Sequence, residues 1–278
     1  LVRLVNTASE QLGKGSIDIG AINEVLSSQA NTNHLHPGSD LLAKGIPPIP
    51  TGIPIKSLPT LTDASGGVFG VWAVGGETGI GKSCLAWQIA LEVGREIPVL
   101  YYDFEAGAET LLHRTGEICG GNLERTQRAT KQVYIRDAIR SLDSDLGTIQ
   151  APALIVIDSF QKLPTSVLHR RTSLDTWLRR FETLAKHGYA VLLTSEKQRA
   201  LYGQATAGGY KETGEIEYTA SFGVQLLKED EDTIKVWCVK NRHRPSPGLV
   251  ATLERDPTRT WWFRESEFRT KEVEYEGA

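Results

Sequence analysis

The sequence lacks any apolar run that approaches the roughly 20 residues of a membrane-spanning helix. Its opening stretch, LVRLVNTASEQ, has no long apolar segment either, so we expect no signal peptide. Methionine is absent, and nothing in the sequence explains its absence. With 40% hydrophobic and 23% charged residues, the 278-residue chain has the composition of an ordinary soluble globular protein.

Cysteine is scarce, with only Cys84, Cys119 and Cys238 in the whole chain. An odd number at wide spacing fits neither a disulfide framework nor a zinc site, so we expect reduced thiols in an intracellular protein. His34 and His36 lie in the polar segment NTNHLHPGSD, where we expect solvated side chains rather than metal ligands.

An excess of positive charge is also missing, because the formal net charge is −3. A protein that coats duplex DNA along a whole face usually carries more positive charge. Nucleic acid is not excluded, since a small basic patch or a ring of loops is enough to bind it.

Residues 1–48 differ in character from the rest. The segment GSIDIGAINEVLSSQA predicts a short amphipathic helix, and the proline-rich KGIPPIPTGIP predicts irregular backbone. We therefore expect a linker with one helix over residues 1–48 and a globular domain over residues 49–278. The helix can pack on its own domain or on a neighbouring subunit, and the sequence favours neither.

From about Val68, four apolar strands alternate with helices. The strands are VFGVWAVGG, IPVLYYDFE, APALIVIDSF and YAVLLTSE, and the strand-like runs SFGVQLLK, TIKVWCVKNR, LVATLERD and TWWFRE follow, separated by turns. This order predicts an α/β fold, a mostly parallel twisted sheet flanked by helices, with antiparallel strands added toward the C-terminus.

The segment GETGIGKS matches the phosphate-loop pattern G-x-x-x-x-G-K-[ST] and stands between a hydrophobic strand and a helix. Its glycines allow backbone N–H groups to turn toward phosphate, and the N-terminus of the helix favours an anion. Lys82 would reach the β- and γ-phosphates, and the Ser83 hydroxyl would bind Mg²⁺. The residues predicted to bind the nucleotide are Gly76, Glu77, Thr78, Gly79, Ile80, Gly81, Lys82, Ser83 and Cys84.

Acidic residues end two of the predicted strands. Asp158 follows ALIVI and is the expected Mg²⁺ ligand, with an ordinary turn cap as the alternative. Glu105 is the expected group that orients the attacking water, because Asp103 lies further inside its strand. We interpret Arg114 as a packing or surface residue rather than a catalytic one.

Several motifs together resemble the RecA-type ATPase core, and in particular the C-terminal domain of DnaB-type replicative helicases. The similar segments span residues 50–264 and are PTGIPIKSL, GGETGIGKSCLAWQIAL, VLYYDFEAGAETLLHR, LIVIDSFQKLP, AVLLTSEKQR, GEIEYTASFGVQLL and KVWCVKNRHRPSPG. The phosphate loop alone is generic, whereas the glutamate-bearing strand and the late KNR are more specific.

The resemblance implies an ATPase domain that forms a hexameric ring and moves on single-stranded DNA, with ATP or another nucleoside triphosphate and Mg²⁺ as cofactors. It assigns Glu105 to water activation and Asp158 to the metal, and it makes Lys240 and Arg242 act on the γ-phosphate of the neighbouring subunit. A surface hairpin is the alternative for these last two residues. The resemblance also implies a cytoplasmic protein of bacterial, phage or plasmid origin, or an organellar one.

The resemblance further implies two central-channel loops, after the third and fourth strands. They are KLPTSVLHRRTS and EKQRALYGQATAGGYKETGEIE. A few cations among small residues suit binding of a nucleic-acid phosphate backbone without regard to its sequence. The alternative is that both segments are solvated loops without a binding role. The residues expected to contact nucleic acid are Arg170, Arg171, Lys197, Arg199 and Lys211.

The sequence departs from the family pattern at three points. Glu196 stands where the family usually has a γ-phosphate-sensing glutamine, and Thr219 and Ser221 lie near a missing acidic residue. We expect no counterpart here to the N-terminal helical domain that recruits primase in bacterial helicases, so the resemblance leaves open whether a primase or a loader is a partner. Two alternatives stay open, a RecA- or RadA-like recombination ATPase and a KaiC-like signalling ATPase that binds no DNA.

Overall fold

The computed structural model describes residues 48–139, 142–204, 210, 214–245 and 248–266. The chain divides into two units between Ile49 and Pro50, and every helix and strand named below lies in the second. The helix predicted within residues 1–48 lies outside the described residues.

Nine strands and seven α-helices form the described part of the chain. The helices are α1 (Pro59–Ser65), α2 (Lys82–Val93), α3 (Ala108–Ile118), α4 (Leu123–Thr130), α5 (Leu142–Thr148), α6 (Arg170–Lys186) and α7 (Glu215–Thr219). The strands are β1 (Val71–Gly76), β2 (Val99–Asp103), β3 (Val133–Arg136), β4 (Leu154–Asp158), β5 (Ala190–Glu196), β6 (Phe222–Lys228), β7 (Thr233–Asn241), β8 (Gly248–Asp256) and β9 (Arg259–Glu265). Two 3₁₀ turns, Phe160–Lys162 and Arg199–Leu201, follow β4 and β5.

The strands form one sheet in the order β3-β2-β4-β5-β1-β6-β7-β8-β9. The six strands from β3 to β6 in this order are parallel, and β7, β8 and β9 are added antiparallel. The predicted fold class is therefore confirmed. Because β1, β2, β4 and β5 are parallel, their carboxyl ends meet at one edge of the sheet, where the loops that follow them lie close together.

Both faces of the parallel sheet are covered, because successive strand residues point to opposite faces. In β1, Trp72 and Val74 pack in the core under α2, and Val71 and Ala73 pack in the core under α6. Strands buried on both sides read as continuous apolar runs, which is why VWAVGG shows no alternation.

Helix α2 is buried almost all round, since β9 packs beside it. The Gln88 side chain donates to the Phe263 carbonyl at 2.9 Å and accepts the Phe263 N–H at 2.8 Å. These bonds satisfy backbone groups of the edge strand and hold it against the helix that begins at the phosphate loop.

Sequence patterns missed β3 and four helices, α1, α4, α5 and α7. Strand β3 has four residues of alternating burial at the sheet edge, and α4 buries none of its side chains, so neither has a strong periodic signal. No helix of the described ranges is long and apolar enough to cross a membrane.

Candidate nucleotide-binding site

The phosphate loop joins the end of β1 to the start of α2. Gly79 and Gly81 have φ angles of 79° and 109°, in the left-handed region that disfavours side chains. A Cβ on Gly81 would lie 2.8 Å from the Phe263 ring. The first-turn N–H groups of α2 have no helical acceptors, so they are available to an anion.

A cavity of about 240 Å³ lies over this loop. It is formed by the loop itself, the ends of β2, β4 and β5, helix α3 and the last two strands. The lining residues are Thr78, Gly79, Gly81, Lys82, Ser83, Cys84, Glu105, Arg114, Asp158, Ser159, Glu196, Arg255 and Trp261. Loop residues therefore lie together with the two predicted acids, Glu105 and Asp158.

Lys82 is held over the loop, where only 9% of the residue is exposed. Its Nζ donates to the Gly76 carbonyl at 3.1 Å and the Glu77 carbonyl at 2.8 Å. Burial lowers the pKa of Lys82, and the nearby carboxylates of Glu196 and Asp158 oppose that shift. A bound phosphate would supply further negative charge beside the ammonium group.

The Asp158 carboxylate is 3% exposed and accepts hydrogen bonds from three hydroxyls. Ser83 Oγ donates at 3.1 Å, Thr194 Oγ1 at 2.5 Å and Tyr101 OH at 2.9 Å. Burial raises the pKa of Asp158, and these hydrogen bonds oppose the rise. The carboxylate and the Ser83 hydroxyl are hard oxygen donors in contact, which is the chemistry that Mg²⁺ prefers.

Glu105 follows β2 and lies at the cavity wall. Ser159 Oγ donates to Glu105 Oε1 at 3.0 Å, so the residue next to Asp158 orients this carboxylate. Asp103 is buried instead, and its Oδ1 accepts the N–H groups of Glu105 and Ala106, both at 2.9 Å. Asp103 therefore shapes the turn that presents Glu105.

Sequence reasoning missed several residues that line or support the cavity. Tyr101, Thr194 and Ser159 carry hydroxyls that bind the two acids, and only their place at strand ends could have signalled this. Trp261 comes from β9, far along the chain, and had no sequence signal. The guanidinium of Arg114 lies 4.3 Å from the centre of the Trp261 ring, so Arg114 packs at the cavity wall.

Cys84 is a buried thiol at this site. Its Sγ lies 3.0 Å from the Trp261 carbonyl oxygen, to which it donates, and burial raises the pKa of the thiol to about 12. Cys84 therefore links the start of α2 to β9 as a neutral group.

The tip of β5 places Glu196 at the cavity and Lys197 behind it. Thr78 Oγ1 lies 3.4 Å from Glu196 Oε1. Lys197 is 1% exposed, burial lowers its pKa, and its Nζ has no hydrogen-bond partner among the described residues. The structure therefore places Lys197 away from solvent, which departs from its expected contact with nucleic acid.

Lys240 and Arg242 lie at the opposite edge of the sheet from the phosphate loop. Asn241 pairs with Phe222, and Phe222 pairs with Trp72 near the start of β1. The remaining length of β1 to the loop is about 13 Å, at 3.3 Å per residue. Lys240 Nζ donates to the Glu217 and Tyr218 carbonyls, and Arg242 is exposed, so neither lines the cavity of its own chain.

The remaining predicted residues have separate places. Arg170 and Arg171 are exposed in the first turn of α6, and Arg199 is exposed in the 3₁₀ turn after β5. Lys211 lies outside the described residues. Ser221 hydrogen-bonds the backbone of Val71 through its hydroxyl, which is a structural role at the far edge of the sheet.

Comparisons with known proteins support the fold of this site. A family model described as an AAA domain matches residues 64–197, which hold the phosphate loop, Glu105 and Asp158. No curated protein matches the sequence.

Three solved structures share the architecture at low sequence identity. One, described as an ATPase domain, superposes with a TM-score of 0.66 at 15% identity, over 90% of this chain and 100% of that chain. A DnaB-like replicative helicase, described together with its interactions with primase, superposes with a TM-score of 0.69 at 14% identity. The match covers 94% of this chain and 75% of that chain. The KaiC-like protein PH0186 from the hyperthermophilic archaeon Pyrococcus horikoshii OT3 superposes with a TM-score of 0.59 at 19% identity. The match covers 79% of this chain and 100% of that chain.

The similarity to these structures lies in the fold, since the identities are low. It confirms the resemblance in architecture on which the sequence interpretation depended. The chain therefore shares the RecA-like fold of these ATPase structures, and residues 64–197 match the AAA domain model.

Proposed function

We propose that this protein is an ATP-hydrolysing motor that forms a ring and moves along single-stranded DNA as a DnaB-like helicase domain. One observation carries the proposal. Lys82, Ser83, Glu105 and Asp158 line one cavity, whereas the exposed cation Arg242 lies at the other edge of the sheet. A second copy of the chain is needed to bring the two together.

The cavity residues have separate tasks in this mechanism. The N–H groups of the loop and Lys82 would hold the phosphates, and Ser83 and Asp158 would hold Mg²⁺. Bound Mg²⁺ would neutralise charge on the phosphate oxygens. Glu105, oriented by the Ser159 hydroxyl at 3.0 Å, would accept a proton from the attacking water.

Arg242 and Lys240 complete the site of a neighbouring copy in this proposal. A cation that arrives across an interface stabilises transition-state charge only when the ring is assembled. Each subunit of a hexamer would then supply one half of two adjacent sites, which couples hydrolysis to assembly.

The proposed DNA contacts lie on the loops after β4 and β5, at the same edge of the sheet as the phosphate loop. Arg170, Arg171 and Arg199 are exposed there, and Lys211 is part of the same proposal. Cations on such loops bind a phosphate backbone without reading its sequence. A primase or a helicase loader is the further partner class that a motor of this kind would take.

The first test is a mixing experiment on turnover. Arg242→Ala should abolish ATP hydrolysis and leave nucleotide affinity within about twofold, because the cavity itself is intact. Glu105→Ala protein should also be inactive. Mixed rings should recover activity, since an interface with Glu105 from one subunit and Arg242 from the other is complete.

The control is Arg179→Ala, which removes an exposed arginine of α6 outside the cavity. It should hydrolyse ATP at the normal rate. Normal hydrolysis by Arg242→Ala, or no recovery in mixtures that still form rings, would show that Arg242 does not act across an interface.

A second candidate is a signalling ATPase without DNA binding, and the match to the KaiC-like protein is the observation that favours it. The two functions differ in their response to DNA. A motor should hydrolyse ATP at least several-fold faster with single-stranded DNA, measured at low salt. Absence of both stimulation and DNA binding would favour the signalling ATPase, and strand displacement on forked DNA would separate a helicase from a recombination ATPase.

A further inference from the structure

A second cavity, of about 510 Å³, lies between the C-terminal ends of α2 and α3, helix α4 and the turn from β8 to β9. We name it the arginine pocket. The residues that line it include Leu91, Arg95, Arg125, Arg128, Arg259 and Trp262.

The arginine pocket is separate from the phosphate loop. Leu91 lies nine residues after Lys82 on the same helix, about 13 Å along its axis at 1.5 Å per residue. The two cavities share no lining residue among the described ranges, and the proposed motor mechanism uses none of the arginine pocket.

Positive charge is concentrated in this pocket, although the chain as a whole carries a negative net charge. Among its described lining residues are four arginines and one acid, Glu117, although the formal net charge of the whole protein is −3. Arg128 pairs with Glu124 at 2.7 Å. Arg95 and Arg125 make no side-chain ion pair within the described ranges, so their charges are available to a ligand.

The floor of the pocket is apolar. Leu91 and Trp262 are buried core residues, and Ile118 and Ala129 pack against the same core. The Arg259 guanidinium lies 6.0 Å from the centre of the Trp262 ring. Guanidinium groups bind phosphate through paired N–H donors and also stack on flat rings.

We propose that the arginine pocket is a second binding site, which takes a nucleotide unit. The phosphate group would bind Arg95 and Arg125, and the base would lie on the apolar floor beside Arg259. The volume of the pocket is in the range of small-molecule sites. An apolar floor beside cations fits a base with its phosphate better than an acidic peptide, which has no flat apolar group to cover that floor. The unit can come from a free nucleotide or from a nucleic-acid strand, which share this chemistry.

The test uses AMP, because it lacks the β- and γ-phosphates that the phosphate loop holds. Isothermal titration calorimetry of the full chain with AMP should show one binding site. The Lys82→Ala variant should bind AMP with an affinity within about twofold of that of the parent protein. Arg95→Glu/Arg125→Glu should weaken AMP binding at least tenfold, because two attractive charges become repulsive. Arg179→Glu, at an exposed arginine outside the pocket, should leave it unchanged.

A second titration with a short oligothymidylate identifies the source of the nucleotide unit. Oligonucleotide binding that is lost in the double variant, without AMP binding in the parent protein, would assign the site to a strand. ADP binding to the phosphate loop checks that the double variant is folded. Should it fail that check, Arg125→Gln replaces it and should weaken binding at least threefold.

Three results would overturn the proposal. One is that neither AMP nor the oligonucleotide shows binding that is weakened by substitution of Arg95 and Arg125. Another is loss of AMP binding in Lys82→Ala, which would place AMP at the phosphate loop. The third is tighter binding of a glutamate-rich peptide than of either nucleotide probe, which would make the pocket a peptide site. None of these results depends on DNA-stimulated hydrolysis, so the motor proposal is tested separately.

Discussion

At the scale of the residue, hydroxyl groups decide how the two acids of the cavity are held. Asp158 is buried and accepts from three hydroxyl donors, whereas the Glu105 carboxylate accepts from the Ser159 hydroxyl. The Ser159 hydrogen bond therefore orients the carboxylate that would face the attacking water.

Ser159→Ala tests this positioning role. Loss of the hydrogen bond should lower kcat about tenfold, equivalent to about 1.4 kcal/mol, with nucleotide affinity unchanged. Steady-state hydrolysis and an equilibrium nucleotide titration give the two values. Thr176→Ala removes an exposed hydroxyl of α6 and is the control; an equal fall in both variants would argue against a specific role of Ser159.

The three thiols should differ in reactivity. Burial raises the pKa of Cys84 to about 12, so at pH 8 the thiol is almost entirely protonated and unreactive. Cys238 is also buried, and Cys119 is partly exposed. Ellman's reagent should therefore modify one thiol in the native protein and three after denaturation.

Labelling of Cys84 should stay slow over the pH range in which the protein stays folded, because burial keeps the thiol protonated and the thiolate is the reactive form. Cys119→Ser should remove the fast native reaction and leave two thiols that react only after unfolding. Fast native labelling of Cys84 in that variant at pH 8 would contradict the burial.

At the scale of the element, the 3₁₀ turn Phe160–Lys162 joins the tip of β5 to the start of α6. Gln161 Nε2 donates to Ser195 Oγ at 2.7 Å, and Gln161 Oε1 accepts the Glu196 N–H at 3.3 Å. The Gln161 carbonyl accepts a bond from Arg170 at 2.6 Å. A cavity residue and a proposed DNA contact are thus tied to one glutamine.

Gln161→Leu should uncouple DNA from hydrolysis. It removes both side-chain hydrogen bonds at the tip of β5. We therefore expect the ratio of the ATPase rate with single-stranded DNA to the rate without DNA to fall at least threefold. ATPase rates with and without DNA give this ratio, and Gln127→Leu on the exposed face of α4 is the control. An unchanged ratio would show that the turn carries no coupling.

At the scale of the whole molecule, the sheet separates two groups that the proposed hydrolysis needs. The cavity lies at the carboxyl edge of the parallel strands, and Arg242 lies at the amino edge, so the distance is set by the length of β1. A single copy cannot close that distance without unfolding its own core.

Specific activity should therefore depend on protein concentration. Dilution should lower the ATPase rate per subunit at the concentration where light scattering shows that the oligomer dissociates. Constant activity down to a monomer would contradict a site shared between copies. Removal of residues 1–48, the predicted linker, should shift dissociation to higher protein concentration if its helix docks on a neighbour.

The local parts of this protein could be predicted because their signals are local. The phosphate loop is contiguous, and the alternation of buried strands with helices follows from hydrophobic patterns within each segment. Strand β3 and helix α4 escaped prediction because they bury little and have weak periodicity.

By itself, the sequence determined the fold class and the residues of the phosphate loop, because short-range patterns control strands, helices and tight turns. Tertiary structure decided what no local pattern could: Lys197 is buried, Trp261 reaches the cavity from β9, and Arg242 lies at the opposite edge. These outcomes depend on strand order and on packing between segments distant in the chain, where the free energy of burial overrides local preference.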